Sequence, residues 1–352
     1  MITILHAADL HLDSPFAGLT PELAQQRRQQ QRQLPAMLVD LCIRHRCDLL
    51  LLAGDVFDGA RVSPETVEAL QEAFQRCPAQ VLIAPGNHDP YEETSPWLQA
   101  QWPEHVHIFG GPVSCVELPE LGCRVWGSGF TGAACEDSLP TVSHSDVLQI
   151  GVFHGDPLTP GPYRHIAPRV LETCGLDYLA LGHIHKPCLP RKAGRTWYAW
   201  PGVAMGRGFD ETGVHGVICA RLADGRCEAE FLPLPGPRYE RLTLQAGSPW
   251  QPPADSPELI CRLTVKGEAE PAELARLRAE LEPQFLALEL RDETVPPTDL
   301  WATCGDGTLR GLALETLKAQ YDAAEPEQRR CIALAARYVL AAVEGRDAPC
   351  EF

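Results

Sequence analysis

No two cysteines of this chain form a CxxC pair, although fourteen are present. Clustered zinc-finger or dithiol redox spacing is absent, so the cysteines read as small, buried, reduced thiols. The opening MITILHAADL has no basic stretch ahead of an apolar run, which argues against a secretory signal. No uninterrupted apolar segment reaches membrane-spanning length. The expected address is the cytoplasm, with no membrane association. Positive charge is scarce: 30 Lys and Arg stand against 47 Asp and Glu, for a net charge of −17. Affinity for nucleic acid usually comes from Lys and Arg at phosphates, so this chain alone is expected to bind nucleic acid weakly. There is no heptad seam and no internal repeat.

What is present fits a globular protein of two parts. The length of 352 residues allows one large domain and a smaller one. The balance of 45% hydrophobic and 22% charged residues is ordinary for a folded chain. Ile2 to His6 reads as a buried strand. Thr20 to Arg46 reads as one helix, opened by a threonine cap and a proline in the first turn. Asp48 to Ala53 is a continuous apolar strand. Ser63-Pro64 opens a helix to about Gln75, and Val81 to Ala84 is the next strand. This alternation predicts a largely parallel sheet covered on both faces. Short strands near Val106–Phe109, Val113–Leu118, Arg124–Trp126, Val147–Phe153 and Tyr178–Leu181 read as a second sheet packed on the first. The expected class is thus α/β, a two-sheet sandwich over residues 1–235.

The proline-dense run Leu232 to Pro237 marks a boundary. Residues 236–352 are expected to form a smaller α+β cap or accessory domain. Leu259–Val265, Pro271–Leu281 and Gln284–Leu290 read as strand, helix and strand. Two helices, about Gly307–Asp322 and Glu325–Glu344, close the chain. In the second, Ile332, Leu334, Ala335, Tyr338, Val339 and Ala342 recur at helical spacing. This stripe either packs on its own domain or offers a surface to a partner.

Chemistry-bearing side chains gather in five short segments, each just after an expected strand. They are Asp9-Leu10-His11, Gly54-Asp55-Val56-Phe57-Asp58, Gly86-Asn87-His88-Asp89, His154 and Gly182-His183-Ile184-His185. Ligands of open α/β sheets collect at the carboxyl ends of strands, so these segments can converge at one edge. Carboxylate, amide oxygen and imidazole without thiolate suit manganese, iron, zinc or similar ions. A two-metal phosphoryl site needs one carboxylate to bridge the pair. The glycines beside Asp55, Asn87 and His183 are expected to let the backbone turn sharply. Any one segment could arise by chance, but the ordered set of five points to a metal centre. His6, His45, His105, His107, His144, His165 and His215 match no motif and read as surface or core histidines.

At these residues the chain resembles the calcineurin-like metallophosphoesterase superfamily. More narrowly, HAADLHLDSPFAGL, DYLALGHIHK and GRGFDETGVHGV are similar to the SbcD/YhaO-type DNA repair exonuclease subunits. The resemblance covers residues 1 to about 215. It implies that Asp9, His11, Asp55 and His185 hold one metal, and that Asp55, Asn87, His154 and His183 hold the other, with Asp55 bridging. It implies that His88 contacts the scissile phosphate and that Asp58 partners His88, at a place where some nuclease members carry histidine. It further implies manganese as the working metal (iron, zinc or magnesium being the others), a bridging-hydroxide mechanism, DNA as substrate, a separately encoded ATPase partner of the structural-maintenance type, and a homodimer. Two other functions stay open at this point. One is a phosphodiesterase or phosphatase of small molecules, although GDVFDGA and GNHD depart from the protein-phosphatase pattern. The other is a scaffold for the ATPase with a residual metal site.

Overall fold

The computed structural model describes residues 1–59, 61–143, 145–295, 301 and 303–345. They divide into two compact units, Met1–Pro235 and Gly236–Phe352. His144 lies outside the described residues.

The first unit is a sandwich of two six-stranded sheets. In chain order its strands are β1 (Ile2–Ala7), β2 (Leu49–Leu52), β3 (Gln80–Ile83), β4 (Val106–Ile108), β5 (Ser114–Leu118), β6 (Cys123–Ser128), β7 (Leu148–His154), β8 (Tyr178–Gly182), β9 (Cys188–Ala193), β10 (Thr196–Trp200), β11 (Gly216–Ala223) and β12 (Arg226–Pro233). One sheet runs β12-β11-β1-β2-β3-β4 and the other β5-β6-β7-β8-β10-β9. The expectation that Val106–Phe109 belongs to the second sheet is corrected. β4 pairs in parallel with β3, Val81 opposite Val106, and so extends the first sheet. β11 and β12 return as a hairpin through Asp224 and Gly225, both at positive φ, the backbone that a tight hairpin turn demands.

Strand β2 shows how the sequence sets the layers. Alternate side chains of a strand point to opposite faces. Leu50 and Leu52 pack with Leu38, Val39, Leu70 and Phe74 on the helical side. Leu49 and Leu51 pack with Val125, Ile150, Val152 and Tyr178 between the sheets. Both faces are dry, so an unbroken leucine run is what this position requires.

The helices of this unit are α1 (Pro21–Gln31), α2 (Leu34–His45), α3 (Pro64–Arg76) and the short α4 (Pro96–Gln99) and α5 (Pro168–Thr173). The single helix expected from Thr20 to Arg46 is two. Pro35 lacks an N–H and its ring collides with the carbonyl four residues back, which is Gln31, the last residue of α1. Thr20 does cap α1, accepting the Leu23 N–H at 3.4 Å.

The second unit has a parallel three-stranded sheet of β13 (Arg238–Gln245), β14 (Leu259–Glu268) and β15 (Ala287–Val295), with α6 (Pro271–Leu281) crossing between the last two. Leu259, Cys261, Leu263 and Val265 pack with Leu274 and Leu281 of α6. The closing helices are α7 (Leu309–Ala323) and α8 (Pro326–Glu344). The apolar stripe expected on α8 is displaced by one position. Among the described side chains of α8, Ala333, Ala336, Arg337, Leu340 and Ala341 are buried, while Ile332, Leu334, Tyr338 and Val339 are half-buried. Arg337 draws this face inward by ion-pairing with Asp292 and donating to the Ala269 carbonyl and the Thr294 hydroxyl. Counting large apolar side chains could not find a face built from alanines around an arginine. No helix among the described residues is long and apolar enough to cross a membrane.

Candidate active site

The five motif segments leave their strands at the same edge of the first unit. Asp9 N–H donates to the Gly54 carbonyl at 3.0 Å and His11 N–H to the Asp55 carbonyl at 2.9 Å. His183 N–H reaches both oxygens of Asp9 at 3.1 Å. His88 N–H reaches Asp55 Oδ1 at 2.9 Å. The loops after β1 and β2 are thereby tied main chain to main chain, and those after β3 and β8 by main-chain N–H groups on the carboxylates of Asp55 and Asp9.

Four of the candidate ligands, Asp9, His11, Asp55 and His183, hold positive φ angles of 44–92°. Residues with a Cβ pay a steric penalty there, and such strain concentrates at functional sites. Of the neighbouring glycines, Gly54 turns the backbone as expected and Gly86 has a different job. Gly54 is at φ 87°, but Gly86 is not in that region. A Cβ on Gly86 would lie 2.2 Å from Asp55 Oδ1, so the glycine permits close approach rather than a turn.

Donor atoms then crowd into overlapping groups. Those of Asp9, His11 and His185 lie within 4.8 Å of one another, as do those of Asp9, Asp55 and His154. His11 Nε2 is 3.8 Å from Asp55 Oδ2 and His154 Nε2 is 3.4 Å from the same oxygen. Asn87 Oδ1 stands 3.0 Å from His154 Nε2. His183 sits edge-on to His154, ring centroids 5.2 Å apart, and against Tyr163 at 5.0 Å. The tightest triads among the described residues do not include it.

Two observations test whether these residues fit a cation. His11 Nε2 is buried without a hydrogen-bond partner, a costly state for an imidazole nitrogen. His154 Nδ1 is 2.9 Å from the Ala53 carbonyl, which can only accept. In the neutral ring Nδ1 therefore carries the hydrogen, and the Nε2 lone pair faces the oxygens of Asn87 and Asp55. Lone pairs at these separations repel unless a positive charge lies among them. The set fits divalent ions with oxygen and nitrogen ligands.

The surrounding shell holds the imidazoles by their other nitrogens, as carboxylates do for metal-ligating histidines. His11 Nδ1 meets Asp58 Oδ1 at 2.9 Å. His185 Nδ1 meets Glu211 Oε1 at 2.8 Å. Arg207 links the two carboxylates, donating to Asp58 at 2.8 Å and to Glu211 at 2.7 Å. Burial pushes Asp58 and Glu211 up. The hydrogen bond from His11 and the Arg207 charge outweigh it at Asp58, as those from His185 and Arg207 do at Glu211, so both stay below the usual carboxylate range. Burial likewise pushes Asp9 up, with His154 opposing it.

The geometry places Asp58 against His11 first. Its carboxylate is 3.9 Å from His88 Nδ1, which instead lies 3.2 Å from the Asp58 main-chain carbonyl. His88 is at the rim, with its side chain 43% exposed. Sequence motifs do not single out Arg207, Glu211, Asp89, Gln31 or Arg164. Asp89 accepts four backbone N–H groups. Gln31 donates to the His11 carbonyl at 2.6 Å, and Arg164 to that of His154 at 2.9 Å. Only the stretch holding Arg207 and Glu211, and the aspartate of GNHD, carried any signal. Of the unmatched histidines, His6 is buried, its ring nitrogens 3.1 Å from the Tyr178 hydroxyl and 3.0 Å from the Leu181 carbonyl.

Known proteins share this chain's features at several levels. It is 32% identical over 251 residues to an uncharacterized metallophosphoesterase, YhaO, of Bacillus subtilis (strain 168). That match covers 65% of this chain and 60% of the relative, so the chain spans less than two thirds of that protein's length. It is 26% identical over 370 residues to the D component of the nuclease SbcCD of Rhodobacter capsulatus, covering 88% of this chain and 85% of the relative. A solved structure from Thermus thermophilus overlaps 65% of this chain and 98% of its own, with a TM-score of 0.39 and 14% identity. The calcineurin-like phosphoesterase family profile matches residues 2–187, and with that match over more than half its length the chain belongs to this family of metal-dependent phosphoester hydrolases.

Proposed function

We propose that this chain is a metal-dependent phosphodiesterase that cleaves DNA as the nuclease subunit of a larger repair assembly. The observation that carries the reading is the convergence of Asp9, His11, Asp55, Asn87, His154, His183 and His185, with the orphaned His11 Nε2 facing Asp55. Asp9, His11, Asp55 and His185 would hold one divalent ion and Asp55, Asn87, His154 and His183 a second. Manganese is the ion we expect. Such ions, when bound, supply Lewis-acid polarisation of phosphoryl oxygens and a water acidified toward neutrality.

The protein's own groups do the rest. His88 stands at the open rim, its Nδ1 engaged by the Asp58 carbonyl, which leaves Nε2 for the substrate. Protonated, His88 donates to a phosphate oxygen and then to the departing oxygen. Asp58 and Glu211 fix the planes of His11 and His185, and Arg207 keeps both carboxylates in register. DNA as substrate is supported by the name of the Rhodobacter relative, a nuclease component, and by the breadth of that match. The net charge of −17 offers little attraction for a polyanion, which supports a partner ATPase that supplies the basic surface.

A second reading has its own observation. A surface hollow of about 930 Å3 opens beside His185, lined by Lys186, Arg191, Trp200 and Asp210 among others. Its size suits a small anionic ligand such as a nucleotide. One assay separates the two. The chelator-dialysed protein is given Mn2+ and offered end-labelled linear DNA, closed circular DNA, bis-p-nitrophenyl phosphate, p-nitrophenyl phosphate and cyclic nucleotides. Cleavage of linear DNA and of the diester supports the nuclease. Turnover of cyclic nucleotides or monoester alone overturns it, and full activity in excess chelator refutes the metal dependence.

A further inference from the structure

A second group of soft donors lies across the first sheet from the motif segments. His45 ends α2, Cys219 is on β11 opposite Leu5, and Glu230 is its cross-strand partner on β12. One ligand atom from each lies within 4.8 Å of the other two. His45 Nδ1 and Glu230 Oε1 are 3.7 Å apart. All three residues sit toward the start of β2, whereas Asp55 follows its end, so the two groups share no side chain.

We infer that Cys219, His45 and Glu230 form a three-ligand binding site for a zinc-type divalent cation, separate from the phosphoesterase centre. The chemistry of the set favours zinc: one sulfur, one imidazole and one carboxylate on three elements, with a fourth position left for water and no water-rich oxygen cage that calcium or magnesium would need. In a tetrahedral site with bonds of about 2.0–2.3 Å, ligand atoms stand roughly 3.3–3.8 Å apart. His45 and Glu230 are already at such a separation. Cys219 is fixed on a central strand and only 2% exposed, whereas the Glu230 side chain is half exposed and free to close the remaining gap. Thiolate, not thiol, is the ligand form. The neighbouring Cys47 thiol and burial push the Cys219 thiol up, so a bound ion would have to displace its proton. A bound ion would tie the end of α2 to the β11–β12 edge of the sheet. The separation of His45 from Cys219 along the chain is far outside any local metal motif, which is why the sequence gives no sign of the site.

Cobalt reports on this site without reference to catalysis. Thiolate bound to Co2+ gives a sulfur-to-metal charge-transfer absorption in the near ultraviolet, and the oxygen and nitrogen donors around Asp55 cannot. The full-length protein, reduced and freed of metal, is titrated with Co2+ alone. The expected result is a charge-transfer band that Zn2+ bleaches. The band should persist in Asp55→Asn and be lost in Cys219→Ser. Because Cys219 is buried, the partly exposed His45→Ala provides a second variant that spares the core. It should weaken cobalt binding at least ~10-fold, as loss of a metal-supporting group does, while Mn2+-dependent diester hydrolysis is unchanged. Absence of the band in the wild-type protein overturns the proposal. So does a band that survives Cys219→Ser, or cobalt affinity unaltered in His45→Ala.

Discussion

The Asp89 carboxylate holds the Asp55 main chain in place. Its Oδ1 accepts the Asp55 N–H at 3.1 Å, and its Oδ2 accepts those of Val56 at 2.8 Å and Phe57 at 3.3 Å. The Gly86 N–H completes the set at 2.7 Å. The loop after β2 and the loop after β3 are thus locked by one buried side chain. Asp89→Asn converts one acceptor into a donor facing N–H groups. We expect a stability loss of about 1–3 kcal/mol from the unsatisfied groups and metal affinity weakened roughly 10–100-fold. Thermal unfolding and a Mn2+ titration measure the two, and wild-type metal affinity would contradict the positioning role.

Asp55 faces both His11 and His154. Asp55→Asn removes the negative charge shared by both proposed ions. Metal analysis should show one ion or none per chain, and hydrolysis should be lost. Two ions with normal turnover would remove Asp55 from the bridging position.

His88 donates its backbone N–H to Asp55, but its ring stands at the rim. His88→Asn should therefore keep the metal content and the fold. The rate on a phosphodiester should fall on the order of 10²–10⁴, as for a lost acid or electrostatic group. Loss of metal in this variant would mean that the ring is a ligand.

The unit Met1–Pro235 contains every candidate ligand and is compact by itself. A chain ending at Pro235 should hold its metals and hydrolyse bis-p-nitrophenyl phosphate in Mn2+. It should lose capture of the ATPase and most activity on long DNA. Retained capture would move the docking surface into the first unit.

Burial of His6 lowers its pKa to about 3, from an unfolded value near 6.5. Between these values the unfolded chain carries a proton that the folded chain refuses. The neutral form's contribution is complete above pH 6.5 and is lost as pH falls through the window toward 3, by up to about 1.4 kcal/mol per pH unit. His6→Gln should be less stable at neutral pH and show a shallower decline. Urea unfolding at neutral pH and at roughly pH 5 gives the comparison, and equal slopes would rule out His6 as the source.

Much of the fold follows from local patterns. Leu49 to Leu52 could only be a strand wet on neither face, and Thr20-Pro21 and Ser63-Pro64 could only open helices. The donors are legible because each follows such a strand directly, and strands of a parallel sheet end at one edge. Where the reading failed, a feature of packing competed with the pattern. Pro35 cut a helix whose apolar period runs through it. Arg337, neutralised by Asp292, turned α8 by one position.

The sequence by itself therefore determined the α/β class and the strand ends on which the seven candidate ligands lie, because those depend on side-chain type and on periods of two and 3.6 residues. The tertiary structure alone decided how the donors are aimed. Asp58 meets Arg207 across 149 positions of chain, and Asp9 meets His183 across 174. The same holds for His45, Cys219 and Glu230, which meet only once β11 and β12 are laid beside β1. Hydrogen bonds between such distant residues form when the sheets stack and exclude water, and no local spacing encodes which carboxylate will then face which imidazole.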